Sequence, residues 1–246
     1  MNLGITLHML DSEFFNVLTF KESEFKDLKV PQVPIAFFDL DHTILNRDIN
    51  SNWIRWRIKY TWNGLLEGVI GLRNYMYYKR GKLSERSINW YYWARTLGVS
   101  AKKYQKLVSD FFHEQGKYHI APESVQIIES HKQIGSNVVL ITAQDDYIAS
   151  HFFYYLNMDN YISNIRMVKD NKFVGMQTPN CYGQGKIQLA RNYAKQLEVD
   201  LADCAFYSDS ISDLPLLQEV KYPVAINPDF WLEKKAIESN WQIYKF

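Results

Sequence analysis

The sequence predicts an α/β protein in which a doubly wound parallel sheet carries an inserted segment made only of helices. Two observations predict this fold. From residue 121 to the C-terminus, short apolar runs that are typical of buried parallel strands alternate with helical segments. Residues 50–120 show helical periodicity throughout and follow directly after the first of the apolar runs. A chain of 246 residues can hold one α/β domain with such an insertion.

The first predicted strand is the apolar run of residues 35–38, which leads directly into Asp39 and Asp41. Ligands bind at the carboxyl ends of the strands in open α/β sheets, so these two carboxylates are placed at a binding edge. Like charges this close repel each other. We therefore expect a positive partner to hold them, which is a metal ion, a lysine or both.

The inserted segment, residues 50–120, is expected to form three or four helices. Trp53 and Trp56 recur at helical spacing, and Ser84 and Ser100 stand where two later helices need N-caps. Its many aromatic side chains are expected to pack between the helices, with the lining of a substrate cleft or contact with a membrane surface as the alternatives.

Beyond the insertion, the predicted helices and strands alternate. Helices are predicted at 122–134, 146–156, 183–197 and 229–239, a hairpin around 170–171, and strands at 137–143, 204–207, 223–227 and 241–244. The α/β core is thus assigned to residues 34–49 and 121–246, and the helical cap to residues 50–120. Residues 1–33 are an N-terminal extension with no assigned function.

Composition restricts the partners and the compartment. Lys+Arg 28 against Asp+Glu 27 leaves almost no net charge, so a nucleic-acid partner is not expected. Cys181 and Cys204 match neither a disulfide framework nor a metal-site spacing, which favours buried free thiols and a reducing compartment. The N-terminus lacks a basic segment of the signal-peptide kind, and no apolar stretch is long enough to span a membrane. The predicted location is cytoplasmic, and the oligomeric state stays open.

Four sets of chemistry-bearing residues lie at or near the ends of successive predicted strands: Asp39 with Asp41, Thr142, Lys186, and Asp209 with Asp213. Each set alone has a structural explanation. A threonine suits a strand, a lysine is commonly solvated, and aspartates are favoured at helix N-termini. The sequence Gly-x-Gly-Lys around Lys186 is also too short for a P-loop.

Taken together, the order acidic pair, hydroxyl, lysine, acidic pair resembles the four motifs of the haloacid dehalogenase (HAD) superfamily of phosphohydrolases. The run SDSISDLPLL followed by PVAINPD is similar to the phosphoserine-phosphatase-like branch, subfamily IB, whose helical cap is inserted after the first motif. The resemblance covers residue 35 to the C-terminus and not residues 1–33. Ser208 and Ser212 stand where many members carry Gly and Asn.

This resemblance implies a Rossmann-like core with a helical cap, and Mg²⁺-dependent hydrolysis of a phosphomonoester through an aspartyl-phosphate. It makes Asp39 the nucleophile and Asp41 the general acid and base. The implied phosphoryl-binding residues are Thr142 and Lys186, and the implied metal ligands are Asp39, Asp41 through its backbone carbonyl, Asp209 and Asp213.

The substrate is expected to be a small organic phosphate. In phosphoserine phosphatases a glutamate nine residues after the nucleophile meets the substrate ammonium, and Asp48 occupies that position here. This favours phosphoserine or another amino-bearing phosphate. His42 is expected only to shape the turn. Three alternatives stay open: a lipid-phosphate phosphatase that docks its cap on a membrane surface, a phosphotransferase or mutase, and a catalytically dead HAD-fold binding protein.

Overall fold

A computed structural model describes residues 30–61, 63–80, 82 and 84–246. The predicted N-terminal extension, residues 1–33, therefore lies outside the described residues except for its last four.

The described chain contains eight strands. They are β1 (Ile35–Phe38), β2 (Asn137–Asp145), β3 (Asn160–Asn164), β4 (Arg166–Lys169), β5 (Lys172–Met176), β6 (Ala205–Ser208), β7 (Tyr222–Ile226) and β8 (Gln242–Tyr244). Six of them form one parallel sheet in the order β3-β2-β1-β6-β7-β8, and β4 pairs with β5 as an antiparallel hairpin. This arrangement confirms the predicted doubly wound sheet. The hairpin around Asp170 and Asn171 is confirmed as well, but the chain before it joins the main sheet as edge strand β3, which the short alternating pattern did not reveal.

Nine α-helices are described. They are α1 (Ile49–Ile58), α2 (Asn63–Lys79), α3 (Glu85–Thr96), α4 (Ala101–Glu114), α5 (Pro122–Gln133), α6 (Asp146–Tyr155), α7 (Gln184–Gln196), α8 (Leu214–Leu217) and α9 (Phe230–Glu238). The first four follow β1, and Ser84 and Ser100 cap α3 and α4 as expected. Whether residues 50–120 form a domain of their own stays a prediction.

The sheet is covered on both faces. Side chains alternate along β1, because successive residues of a strand point to opposite faces. Ala36 and Phe38 belong to the core that β1 shares with α1, α4, α5 and α6, whereas Ile35 and Phe37 face the core built with α7, α8 and α9. Burial on both faces explains why β1 is a continuous apolar run, and it leaves only the strand ends available for chemistry.

A buried network of charges joins the inserted helices to the sheet. Glu67 of α2 accepts from Arg57 at 2.6 Å and from Arg95 at 2.7 Å, and all three side chains are fully buried. Arg95 also reaches Asp145 at the end of β2, at 3.0 Å, and the Tyr104 hydroxyl donates to the same Asp145 oxygen at 2.6 Å. Helices α1 to α4 are thus tied to the sheet by buried polar contacts.

Removing the charge at the centre of this network should strongly destabilise the protein. Glu67→Gln leaves two buried guanidinium groups facing a neutral amide, and breaking a buried pair typically lowers the free energy of unfolding by about 3–5 kcal/mol. Urea unfolding followed by circular dichroism measures the change. Lys106→Ala, which removes the exposed pair with Asp110, is the control and should change stability by about 0.5 kcal/mol or less. A loss of stability in Glu67→Gln as small as that of the control would contradict the stabilising contribution that we expect from the network.

Candidate active site

The turn after β1 fixes the orientation of both aspartates of the first motif. The Asp39 backbone N–H continues the β1–β6 pairing by donating to the Tyr207 carbonyl at 2.9 Å. The chain then makes a tight turn over Leu40–Ile44, in which His42 adopts a left-handed conformation with φ 55°. The His42 side chain is exposed, which fits the expectation that it only shapes the turn.

Lys186 lies between two carboxylates. Its Nζ contacts Asp39 Oδ1 at 2.8 Å and Asp213 Oδ2 at 2.7 Å. The Ser208 hydroxyl donates to the same Asp213 oxygen at 2.7 Å. Lys186 and Asp213 are buried and Asp39 is nearly so, with Lys186 entering from the first turn of α7. Three of the four predicted sets of residues therefore meet at the carboxyl edge of the sheet around this one ammonium group.

Asp41 is held by two other donors. The Ile49 backbone N–H donates to its Oδ1 at 2.6 Å, and Gln144 Nε2 donates to its Oδ2 at 2.6 Å. Gln144 is fully buried, and its own Oε1 has no hydrogen-bond partner among the described residues. Sequence reasoning missed Gln144. The signal that could have indicated it is its place two residues after Thr142, at the end of the same strand.

Thr142 and Asp209 complete the predicted set. Thr142 is buried on β2, beside β1, and its hydroxyl accepts from the Gln144 backbone N–H at 3.1 Å. Asp209 is half-buried directly after β6, and its carboxylate receives no hydrogen bond from any described residue. Its backbone carbonyl accepts from the Asp229 N–H at 2.7 Å, which anchors the loop.

Burial and mutual repulsion shift the pKa values of these groups. Burial raises the pKa of Asp39 to about 6, although Lys186 opposes the shift. Burial, followed by the nearby charge of Asp48, raises the pKa of Asp41 to about 8. The pKa of Asp209 is raised well above its usual range by burial and by the charges of Asp39 and Asp213. Burial alone would lower the pKa of Lys186, but the two carboxylates beside it raise it. The site thus carries more negative charge than one lysine neutralises.

The donor set fits a small, hard cation. In the described part of the chain, no three His, Cys, Asp or Glu side chains are grouped so that they could hold a metal ion by themselves. The carboxylates of Asp39 and Asp209 and the carbonyl of Asp41 nevertheless offer oxygen ligands only, and the Asp209 carboxylate is not engaged elsewhere. Mg²⁺ prefers oxygen and keeps several waters, so few protein ligands suffice.

Asp48, the predicted substrate contact, is the N-cap of α1. Its carboxylate accepts from the Asn50 N–H at 3.0 Å and from the Ser51 N–H at 3.3 Å. Its charge still acts on Asp41, whose pKa it helps to raise. Asp48 therefore caps α1 and also places a negative charge near Asp41.

Comparisons with known proteins agree on one family. The model of the family described as "haloacid dehalogenase-like hydrolase" matches residues 36–218. A histidinol-phosphatase of Neisseria meningitidis serogroup C (strain 8013) is 28% identical over 222 residues, which cover 86% of this chain and 98% of that protein.

Solved structures resemble the chain in fold. A protein of unknown function from Bordetella pertussis Tohama I matches with a TM-score of 0.77 at 22% identity, over 87% of this chain and 98% of that one. A phosphoserine phosphatase solved as an analogue of its phospho-aspartyl intermediate matches with a TM-score of 0.60 at 19% identity, over 87% and 93% of the two chains.

In the described residues no helix combines the length and the apolar character needed to cross a bilayer.

Replacing the central lysine should make stability fall with rising pH. In Lys186→Met, the buried Asp39 loses its cation, so its folded pKa, which burial already raises to about 6, rises further above the unfolded value of about 3.9. Such groups destabilise the fold once they ionise, and stability is lost as pH rises through their folded pKa values. The loss relative to wild type, measured by urea unfolding in EDTA, should reach about 3–5 kcal/mol at pH 8 and be clearly smaller at pH 5.

The matched control is Lys195→Met, an exposed lysine on the same helix, which should have little effect at either pH. An equal loss at both pH values in Lys186→Met would contradict the electrostatic account and indicate a packing defect.

Proposed function

Because the chain belongs to the haloacid dehalogenase-like hydrolase family, we propose that it hydrolyses a small phosphate monoester through a phosphorylated Asp39. The observation that carries the proposal is the contact between Lys186 and Asp39 at 2.8 Å. A buried ammonium group beside a carboxylate, at the carboxyl edge of the sheet, can bind a phosphoryl oxygen and hold the carboxylate in position to attack phosphorus.

In the proposed first step, an Asp39 oxygen attacks phosphorus and the bond between phosphorus and the ester oxygen breaks. Asp41 donates its proton to the leaving oxygen. Its raised pKa, about 8, keeps that proton in place at neutral pH, and the Ile49 N–H and Gln144 fix the carboxyl group. Lys186 and the Thr142 hydroxyl are proposed to bind the phosphoryl oxygens.

In the proposed second step, Asp41, now ionised, takes a proton from a water molecule that attacks the phosphoaspartate. Inorganic phosphate leaves and Asp39 is regenerated. Mg²⁺, held by Asp39, Asp209 and the Asp41 carbonyl, with Asp213 direct or through water, would neutralise charge on the phosphoryl group. The Asp213 carboxylate also fixes Lys186.

The proposed substrates are amino-bearing phosphates. Asp48 places a negative charge near Asp41, where the leaving part of a substrate would lie. The relatives named above are a histidinol-phosphatase and a phosphoserine phosphatase, and both names denote amino-bearing phosphates. We also propose a cytoplasmic location, because Cys181 and Cys204 are buried free thiols.

A screen over phosphorylated metabolites tests the activity and its metal. Hydrolysis should be absent after dialysis against EDTA, return with Mg²⁺, and return poorly with Ca²⁺, which is larger and takes more ligands. Asp39→Asn, purified in the same way, controls for contaminating phosphatases and should be inactive. Full activity in metal-free buffer, or activity in Asp39→Asn, would refute the assignment.

Changing Asp41 should separate the two half-reactions. Asp41→Asn cannot protonate a leaving oxygen or activate water, so an aryl phosphate with a good leaving group should still phosphorylate Asp39 while hydrolysis of the intermediate stalls. Acid-quenched mass spectrometry should then detect phosphoprotein in Asp41→Asn and not in Asp39→Asn. A variant that turns over aryl and alkyl phosphates as well as wild type would contradict the role of Asp41.

Changing Asp48 should separate capping from recognition. Asn is as good an N-cap as Asp, so Asp48→Asn should leave the melting temperature nearly unchanged. If Asp48 meets a substrate ammonium, kcat/KM for phosphoserine or histidinol phosphate should fall about 10- to 150-fold, since a hydrogen bond to a charged group contributes roughly 1.5–3 kcal/mol. Hydrolysis of an aryl phosphate whose leaving group carries no ammonium should change little. Equal losses on both kinds of substrate, or none, would remove the recognition role.

A further inference from the structure

Helix α2 presents an apolar face to solvent. Leu65, Val69, Leu72 and Met76, here named the α2 stripe, recur at i, i+4, i+7 and i+11 and so share one narrow face of the helix. Their exposed fractions are 62%, 69%, 62% and 44%. Single exposed apolar residues are ordinary, but a continuous row of four along one helix marks a contact surface.

The opposite face of α2 is the one that packs against the rest of the protein. Glu67 is buried between two arginines, and Asn74 Nδ2 donates to the Ser87 carbonyl at 2.8 Å. A Cβ added to Gly71 would lie 3.2 Å from an Ile54 methyl group and 3.3 Å from the Tyr91 ring. Packing inside the cap thus accounts for this face of α2 and leaves the α2 stripe without a described partner.

The surroundings of the α2 stripe are strongly basic. Residues 50–100 contain nine lysines and arginines against two glutamates, whereas the rest of the chain, from totals of 28 and 27, contains nineteen cationic against twenty-five acidic residues. Arg57, Arg95 and Glu67 of this segment are buried and paired with one another, which leaves seven lysines and arginines against one glutamate.

Exposed cations stand at both ends of α2. Lys59 precedes the helix, and Arg80 and Lys82 follow it. None of the three forms an ion pair with a described side chain. Tyr60, next to Lys59, is exposed as well, and amphipathic aromatic rings of this kind favour the boundary between lipid and water.

We propose that α2 docks this protein on an anionic lipid surface, with the α2 stripe inserted at the headgroup boundary and the flanking cations on the lipid phosphates. Charge decides between this occupant and a second copy of the chain. A symmetric contact would bring two basic faces together, which is repulsive, whereas an anionic bilayer neutralises the same charges. Helices with an apolar row flanked by Lys and Arg bind in the interface plane and need not span the membrane. The proposal is independent of the proposed catalytic function.

Co-sedimentation of the full chain with vesicles tests the proposal. The protein should bind vesicles of phosphatidylcholine with roughly one third phosphatidylglycerol, bind pure phosphatidylcholine far more weakly, and dissociate from the anionic vesicles as salt rises. Failure of the wild type to bind the anionic vesicles at low salt would refute the proposal.

Two sets of variants locate the surface. Val69→Glu with Leu72→Glu should weaken binding by at least about tenfold, while Phe230→Glu with Ile237→Glu, an equal change at exposed apolar positions of α9, should not. Lys59→Gln with Arg80→Gln and Lys82→Gln should weaken binding roughly 100-fold at low salt, since each cation contributes about 1 kcal/mol, or about fivefold. Lys195→Gln with Lys221→Gln and Lys234→Gln is the matched charge control.

Melting temperatures and hydrolysis of a soluble aryl phosphate should be unchanged in all of these variants, which shows that they fold. Light scattering on the protein without vesicles then measures whether the wild type and the variants are monomers or dimers. Binding by Val69→Glu with Leu72→Glu that equals wild type, or a wild-type dimer that this variant converts to monomer, would overturn the proposal, the latter in favour of a second copy of the chain.

Discussion

The position of one buried ammonium group determines the rest of the site. Lys186 contacts Asp39, which directly follows β1, and Asp213, which lies in the short helical turn after β6. Without it, two carboxylates would be buried next to each other, an arrangement that is strongly unfavourable. Lys186 can reach both because α7 begins directly after the turn at Gly183, whose φ of 53° suits a residue without a side chain. The candidate site at this edge of the sheet therefore depends on a lysine that comes from a helix, α7.

Neutralisation of the buried carboxylates by Lys186 is incomplete. Asp39 keeps a raised pKa although Lys186 lies 2.8 Å away, and the pKa of Asp209 is raised by burial and then by its acidic neighbours. An excess of buried negative charge that no described cation balances is unfavourable in the isolated protein, so binding a divalent cation would relieve it. The same electrostatic imbalance links the stability of the fold to the chemistry proposed for it.

The sequence allowed the strand ends to be predicted well and the contacts between them poorly. Asp39, Lys186 and Asp213 could be placed at one edge because apolar runs identify buried strands and parallel strands align their carboxyl ends. Gln144 shares the strand end with Thr142, but its local sequence does not indicate that its amide crosses to Asp41. Strand β3 was missed for a related reason: an edge strand that is only partly buried lacks the continuous apolar pattern of β1.

The missed contact is one of two that connect Asp41 to the inserted helices, the other being the hydrogen bond from the Ile49 N–H of α1. Gln144 holds Asp41, and the next residue, Asp145, accepts from Arg95 and Tyr104 of the inserted helices and caps α6. Two adjacent residues at the end of β2 thus connect Asp41, the proposed general acid, to the buried charge network. Moving the inserted helices away from the sheet would separate Arg95 from Asp145, although Arg95 would keep its pair with Glu67. The placement of these helices and the orientation of Asp41 therefore both depend on the end of β2, and Asp41 depends in addition on the Ile49 N–H of α1.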